Sequence, residues 1–203
     1  TEVRYLAHAK QMQALDLIPE IAAEFKQQFG RDSGGLIKCY RLEDADTIVI
    51  AMGSVLGTIK DTVDELRNAG VKVGVLGITS YRPFPIAAIR DATANAKRIV
   101  VIEKCFAVGI GGIVSRDVRS AVQSRPQPVY AVVAGLGGRA ITKASVHKLL
   151  LDAMADKLEQ LTFLDMDWEI VNRVLEREKK QRRSGPIAEG ILRDIGTVSS
   201  KIG

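Results

Sequence analysis

The run Thr47-Ile48-Val49-Ile50-Ala51-Met52-Gly53-Ser54 decides how this chain folds. Its apolar residues are nearly continuous. A strand with one wet face would alternate, so this run reads as a strand covered on both faces, as in a parallel sheet between helical layers. Gly53-Ser54 closes it in a tight loop. Thr58 is expected to cap the following helix, with Asp61 favouring its positive end. Ile59, Val63 and Leu66 form the buried stripe of that helix, and Asn68-Ala69-Gly70 ends it. The same order then recurs. Residues 71–78 read as a strand, and Pro85 opens a helix with Ile86 and Ile89 inward. Residues 98–102 form the next strand, and Gly109 to Gly112 lead into a helix over 114–122. Residues 129–134 form the last clear strand, and 36–42 a short candidate ahead of the deciding run. Strands alternating with single helices predict an α/β fold, a mostly parallel sheet sandwiched by helices with right-handed crossovers.

Helices flank this unit. Residues 1–30 read as helical, with Pro19 suited to a first helical turn and Ile21, Phe25 and Phe29 on one stripe. Gly30 is the stop, and 31–35 the linker. The chain turns helical again from Thr142, where Leu149, Leu150, Met154 and Leu158 share a face. A further helix is expected from about Asp167, with Trp168, Val171, Val174 and Leu175 inward, running into 176–183. Residues 184–203 read as extended or partly mobile. The expected organisation is a leading helix and linker over 1–35, an α/β domain over 36–146 and a helical tail over 147–203.

Composition removes several classes. With 46% hydrophobic and 26% charged residues, the chain is neither disordered nor fibrous. No apolar run approaches the roughly 20 residues of a membrane span. The first residue is Thr1, which reads as a processed or partial chain. Cys39 and Cys105 are the only cysteines, lie in apolar stretches and read as buried free thiols in a reducing, cytoplasmic setting. Two cysteines without a CxxC pair cannot hold a four-cysteine cluster or zinc site. His8 and His147 stand alone and read as structural or surface residues, so no metal site is expected. Residues 176–183 carry five Lys/Arg against two Glu, or +3 of the net +5. That run has no interleaved aromatics, so it reads as a solvated helix end rather than a nucleic-acid site.

The candidate chemistry lies at strand ends, where open parallel sheets bind ligands. Three glycine loops occupy such positions: Gly53-Ser54, Gly109-Ile110-Gly111-Gly112 and Gly135-Leu136-Gly137-Gly138-Arg139. None completes GxGxxG and none is a P-loop, so tight turns and close packing explain them better than a nucleotide phosphate. Arg82-Pro83-Phe84-Pro85 fixes an extended turn. Arg82 there reads as an ion-pair former, and Phe84 as a plug for the core or a partner surface. Glu103-Lys104 ends a strand and reads as a structural ion pair rather than an acid–base group. No catalytic residue is assigned.

Taken in order, these motifs resemble a known family. Residues 40–46 (YRLEDAD), 51–54 (AMGS), 69–74 (AGVKVG), 81–85 (YRPFP), 101–104 (VIEK), 109–112 (GIGG) and 135–139 (GLGGR) are similar to the second domain of the alpha chain of 2-oxoacid:ferredoxin oxidoreductases, the pyruvate synthase family. That domain is like the C-terminal domain of transketolase. The resemblance implies an enzyme that decarboxylates a 2-oxo acid on thiamine diphosphate with magnesium. It implies [4Fe-4S] clusters that pass electrons to ferredoxin, and coenzyme A as acyl acceptor. It implies that these groups sit on other domains or subunits, with this chain a non-catalytic assembly domain packed against them. Contacts are then expected around Gly53, Ser54, Arg82, Pro83, Phe84, Gly111, Gly112 and Arg139. The alternatives are a nucleotide- or coenzyme-binding module, or the C-terminal domain of another thiamine-dependent enzyme.

Overall fold

The computed structural model describes residues 1–180. Its centre is β2 (Thr47–Ala51), buried at every position. β3 (Val73–Ile78) and β4 (Arg98–Glu103) flank it in parallel, with Ala51 opposite Gly77 and Ile50 opposite Val101. β5 (Val129–Val133) follows in parallel beside β4. β1 (Ile37–Tyr40) closes one edge antiparallel to β3, and β6 (Leu161–Phe163) the other, parallel to β5. The strand order is β1-β3-β2-β4-β5-β6.

Side chains alternate between the two faces of each strand, so one apolar strand feeds two cores. Val49, Ala51, Val100 and Ile102 meet Ile59, Val63 and Leu66 of α2 (Val55–Asn68) and Val146, Leu149 and Leu150 of α5 (Lys143–Met154). Ile48, Ile50, Ile99 and Val101 meet Ile89 of α3 (Ile86–Ala92) and Val114, Val118 and Val122 of α4 (Val114–Val122). The sheet is thus sandwiched, as the continuous apolar run of β2 requires.

The differences from the sequence reading are local. α1 (Glu2–Phe29) runs straight through Pro19 instead of starting there. The proline leaves the Leu15 carbonyl without its helical donor, and no residue of α1 is buried, so that carbonyl is not sealed away from solvent. The expected stripe is correspondingly open, with Ile21 and Phe29 more than half exposed. α2 begins at Val55, after Ser54 and the turn that Gly53 makes with its φ of +76°, so Thr58 lies inside the helix rather than capping it. Ile86 is exposed at the start of α3 while Ile89 is fully buried. The expected last strand is followed by β6, and residue 146 falls within α5. Both cysteines are free but exposed: Cys39 lies on edge strand β1 and Cys105 just past β4. The second unit begins at Met166. Its described part is α6 (Trp168–Lys180), where Trp168, Val174 and Leu175 are about half exposed rather than inward. The end of the basic run and the expected extended terminus lie outside the described residues.

Candidate functional site

The strand order changes direction beside β2. The chain leaves β2 for β3 on one side, then crosses to β4 on the other. Loops leaving β2 and β4 therefore diverge at their carboxyl ends and open a crevice, the usual ligand position in such sheets. A cleft of about 460 Å³ lies there. Ser54 and Thr58 of the β2–α2 segment line it, with Glu103, Lys104 and Cys105 at the end of β4 and Gly135 and Arg139 after β5. Met52, Val55, Ile102, Val114 and Ile141 supply the apolar lining.

Glu103 is not the partner of Lys104. Its side chain is buried, and both oxygens turn onto the start of α4. Oε2 accepts from the backbone N–H groups of Ile113 and Val114 at 2.7 Å each, and Oε1 from that of Ser115 at 3.0 Å. The first N–H groups of a helix have no partner within it, and its N-terminus is electropositive. A buried carboxylate there is stabilised by three charge-assisted bonds. Gly112 makes the approach possible. A Cβ at that position would overlap the Glu103 carboxylate and reach 2.5 Å from the Ser115 hydroxyl. The third glycine of GIGG thus serves an internal anion, and the α4 N-terminus is closed to an outside one.

The intervening loop is ordered by its own backbone. Ala107 and Gly111 exchange two N–H···O bonds at 2.8 and 2.9 Å, and Ile110 N–H bonds the Ala107 carbonyl at 3.0 Å. Phe106 anchors one end, edge-on to Phe163 at 5.1 Å. Beside Gly111 the nearest side chain is Leu161. This well-bonded loop points its apolar residues outward, with Val108 88% and Ile110 63% exposed.

Arg82, Pro83 and Phe84 form a separate group away from the cleft lining. Arg82 Nη2 donates to Asp117 Oδ2 at 2.7 Å, and the Tyr81 hydroxyl donates to the same oxygen at 2.8 Å. The Arg82 guanidinium stacks 4.0 Å from the Tyr81 ring centroid. The hydrogen bond to Asp117 raises Arg82 above its usual range, and burial pushes the Tyr81 phenol up. Phe84 packs against the second core, edge-on to Tyr81. The turn is an internal clamp of α4 to the β3–α3 loop.

The structure therefore brings Ser54 and Arg139 to one cleft, with Gly53 adjoining it in the turn. Gly111 and Gly112 belong to the neighbouring loop, and Arg82, Pro83 and Phe84 to the clamp. Sequence reasoning misses Lys104, Cys105 and Thr58 as cleft residues. The signal available for Lys104 and Cys105 is position alone, immediately beyond a strand that ends at the switch point.

A family model described as pyruvate:ferredoxin oxidoreductase core domain II matches residues 45–146. The chain is 41% identical over 152 residues to pyruvate synthase subunit PorA of Methanosarcina barkeri, covering 73% of the chain and 38% of that protein. It is 33% identical over 153 residues to ketoisovalerate oxidoreductase subunit VorA of Pyrococcus horikoshii, covering 74% of the chain and 39% of that protein. A solved structure of 2-oxoglutarate:ferredoxin oxidoreductase from Magnetococcus marinus, with 2-oxoglutarate, coenzyme A and succinyl-CoA bound, is similar at a TM-score of 0.46 and 20% identity. That likeness covers 67% of the chain and 21% of the solved one. The chain spans under half the length of these relatives.

Proposed function

Because this chain belongs to the pyruvate:ferredoxin oxidoreductase core domain II family, we propose that it is the non-catalytic assembly domain of a thiamine-diphosphate-dependent 2-oxoacid:ferredoxin oxidoreductase. The whole enzyme would oxidatively decarboxylate a 2-oxo acid such as pyruvate, form the acyl-coenzyme A and pass the electrons to ferredoxin. The M. barkeri relative is named for pyruvate and the P. horikoshii relative for ketoisovalerate, so the family spans more than one side chain on that acid. Thiamine diphosphate, magnesium and the [4Fe-4S] clusters are assigned to other domains or subunits. The two cysteines of this chain are too few for a four-cysteine cluster. Among the described residues, no three His, Cys, Asp or Glu side chains gather as metal ligands. The domain's role is to position neighbours, and its expected contacts include the Gly111-Gly112 loop and Gly53-Ser54. The exposed free thiols suit a reducing cytoplasm. No helix among the described residues is long and apolar enough to cross a membrane.

The observation that carries this reading is the loop between β4 and α4. Internal hydrogen bonds hold its shape, yet Val108, Ile110 and Ile113 face water. Apolar side chains on a preordered loop lose little conformational freedom on docking, which is how a few residues come to dominate an interface. Ile110→Lys in the assembled oxidoreductase tests it. The subunits are expected to separate on gel filtration, with about a hundredfold loss of association. Ferredoxin reduction should fall with it, while the melting temperature of the chain stays unchanged. Full co-elution with full activity would remove the assembly role of this loop.

A further inference from the structure

The cleft at the switch point has properties that docking by the neighbouring loop does not use. Lys104 and Arg139 flank it, and among the described residues neither makes an ion pair. Arg139 gives one N–H to the Asp165 carbonyl, which orients the guanidinium and leaves other donors available. Glu103 is the one carboxylate in the lining, and its oxygens are engaged by α4. The cleft therefore presents two cationic groups against one carboxylate that is already satisfied. Ser54 and Thr58 add hydroxyl groups, and the Ser54 side chain makes no capping bond to α2. The rest of the lining is apolar. At about 460 Å³ the cleft falls within the range of roughly 300–1,000 Å³ that small-molecule sites occupy. One acidic side chain offered by a docked protein would fill only a fraction of that space.

We propose that this cleft binds a small organic anion, a carboxylate or a phosphate ester with an apolar body. The charged end lies between Lys104 and Arg139, within reach of the Ser54 and Thr58 hydroxyls. The apolar body rests on Met52, Val55, Ile102 and Ile141. Water is displaced from apolar walls while the charge meets fixed donors, so charge and body act together. The site is separate from Val108, Ile110 and Ile113 of the β4–α4 docking loop and from the reactive groups assigned to other domains, and it shares Ser54 and Arg139 with the expected assembly contacts.

Titration of the 203-residue chain by NMR tests it, with phenyl phosphate and phenylacetate as probes. Benzyl alcohol is the uncharged control, and inorganic phosphate the control without an apolar body. Both aromatic anions are expected to shift the backbone amides of 52–58 and 135–141, and the tighter of the two identifies the anion type. Each control should bind about tenfold more weakly. Lys104→Gln and Arg139→Gln should each weaken binding by about five- to tenfold, and the double variant should abolish it. Lys143→Gln, which removes a cation paired to Glu65 outside the cleft, should change nothing. Ile110→Lys should also bind normally, so failure of the assembly role and failure of this site read out separately. The proposal is overturned by equal binding of benzyl alcohol or by undiminished binding in the double variant. Shifts confined to other amides would overturn it too, as would the absence of shifts up to about 10 mM, a concentration above the millimolar range in which weak small anions bind.

Discussion

Two loops at the same edge of the sheet are written in the same way and do different work. After β2 and after β4 the chain passes from a buried strand through glycine into a helix. At the β4–α4 loop the helix start is filled by the Glu103 carboxylate, and the glycine beside it is forced by that filling. At the β2–α2 loop no side chain caps the helix, and nothing lies within 4 Å of a Cβ built on Gly53. One carboxylate, ten residues ahead of the first N–H it caps, separates a closed helix end from an open cleft. A glycine pattern alone therefore does not identify an anion site. What the protein itself places at the helix start decides the matter.

The largest expected effect comes from breaking the closed loop. Glu103→Ala strips three backbone N–H groups of their acceptor in a buried place. It should destabilise the chain by about 3–5 kcal/mol, a drop of roughly 10 °C in Tm by calorimetry. A change under about 1 kcal/mol would show that water replaces the carboxylate. The two glycines sharpen the comparison at smaller magnitude. Gly112→Ala drives a methyl into the Glu103 carboxylate and should cost about 2–3 kcal/mol in urea unfolding. Gly53→Ala meets no neighbour and is strained only by its φ of +76°, so about 1 kcal/mol is expected. In the Glu103→Ala background the Gly112 penalty should shrink by about 1 kcal/mol without vanishing, because the nearer obstacle has gone while the Ser115 hydroxyl remains. Equal penalties at Gly53 and Gly112 would mean that backbone conformation, not the carboxylate, governs both loops.

The sequence and the structure agree where a pattern is local and strong. β2 is legible from its unbroken apolar run, and α4 from the glycines before it and the apolar spacing within it. The stripe Ile59, Val63 and Leu66 is buried as read. Short or non-local features are not legible. β6 has three half-buried residues and acquires its strand character from pairing with β5, which no periodicity announces. Pro19 reads as a helix start, but an exposed helix tolerates it because water can satisfy the carbonyl it orphans. Cys39 lies on an antiparallel edge strand with one open face, so an apolar neighbourhood in sequence does not mean burial. Glu103 reads as a member of a structural ion pair at a strand end, yet its buried carboxylate is held by backbone N–H groups rather than by a cation. Its true partners lie ten to twelve residues on. The cleft itself, with Lys104 and Arg139 from different loops, exists only once the strand order is known.

A second carboxylate, on an exposed surface, gives the smallest and most pH-dependent contrast with Glu103. Asp44 Oδ1 accepts from Arg67 Nη1 at 2.5 Å, while Arg67 also donates to the Val73 and Arg41 carbonyls at 2.6 Å each. The hydrogen bond from Arg67 holds the Asp44 carboxyl below the usual carboxylate range. A carboxylate whose folded pKa is depressed contributes stability above its unfolded pKa, near about 3.9, and loses it as pH falls through the folded value. Water screens this exposed pair, and Arg67 keeps its two carbonyl acceptors whether or not Asp44 is charged. Asp44→Asn should therefore lower the urea midpoint slightly at about pH 7, and the gap from the parent should close as pH falls through and below the usual carboxylate range. A gap that persists unchanged at about pH 2 would mean that Asp44 acts through hydrogen-bond geometry rather than through its charge. In that case the distinction between a buried carboxylate that builds a loop and an exposed one that trims a surface would rest on burial alone.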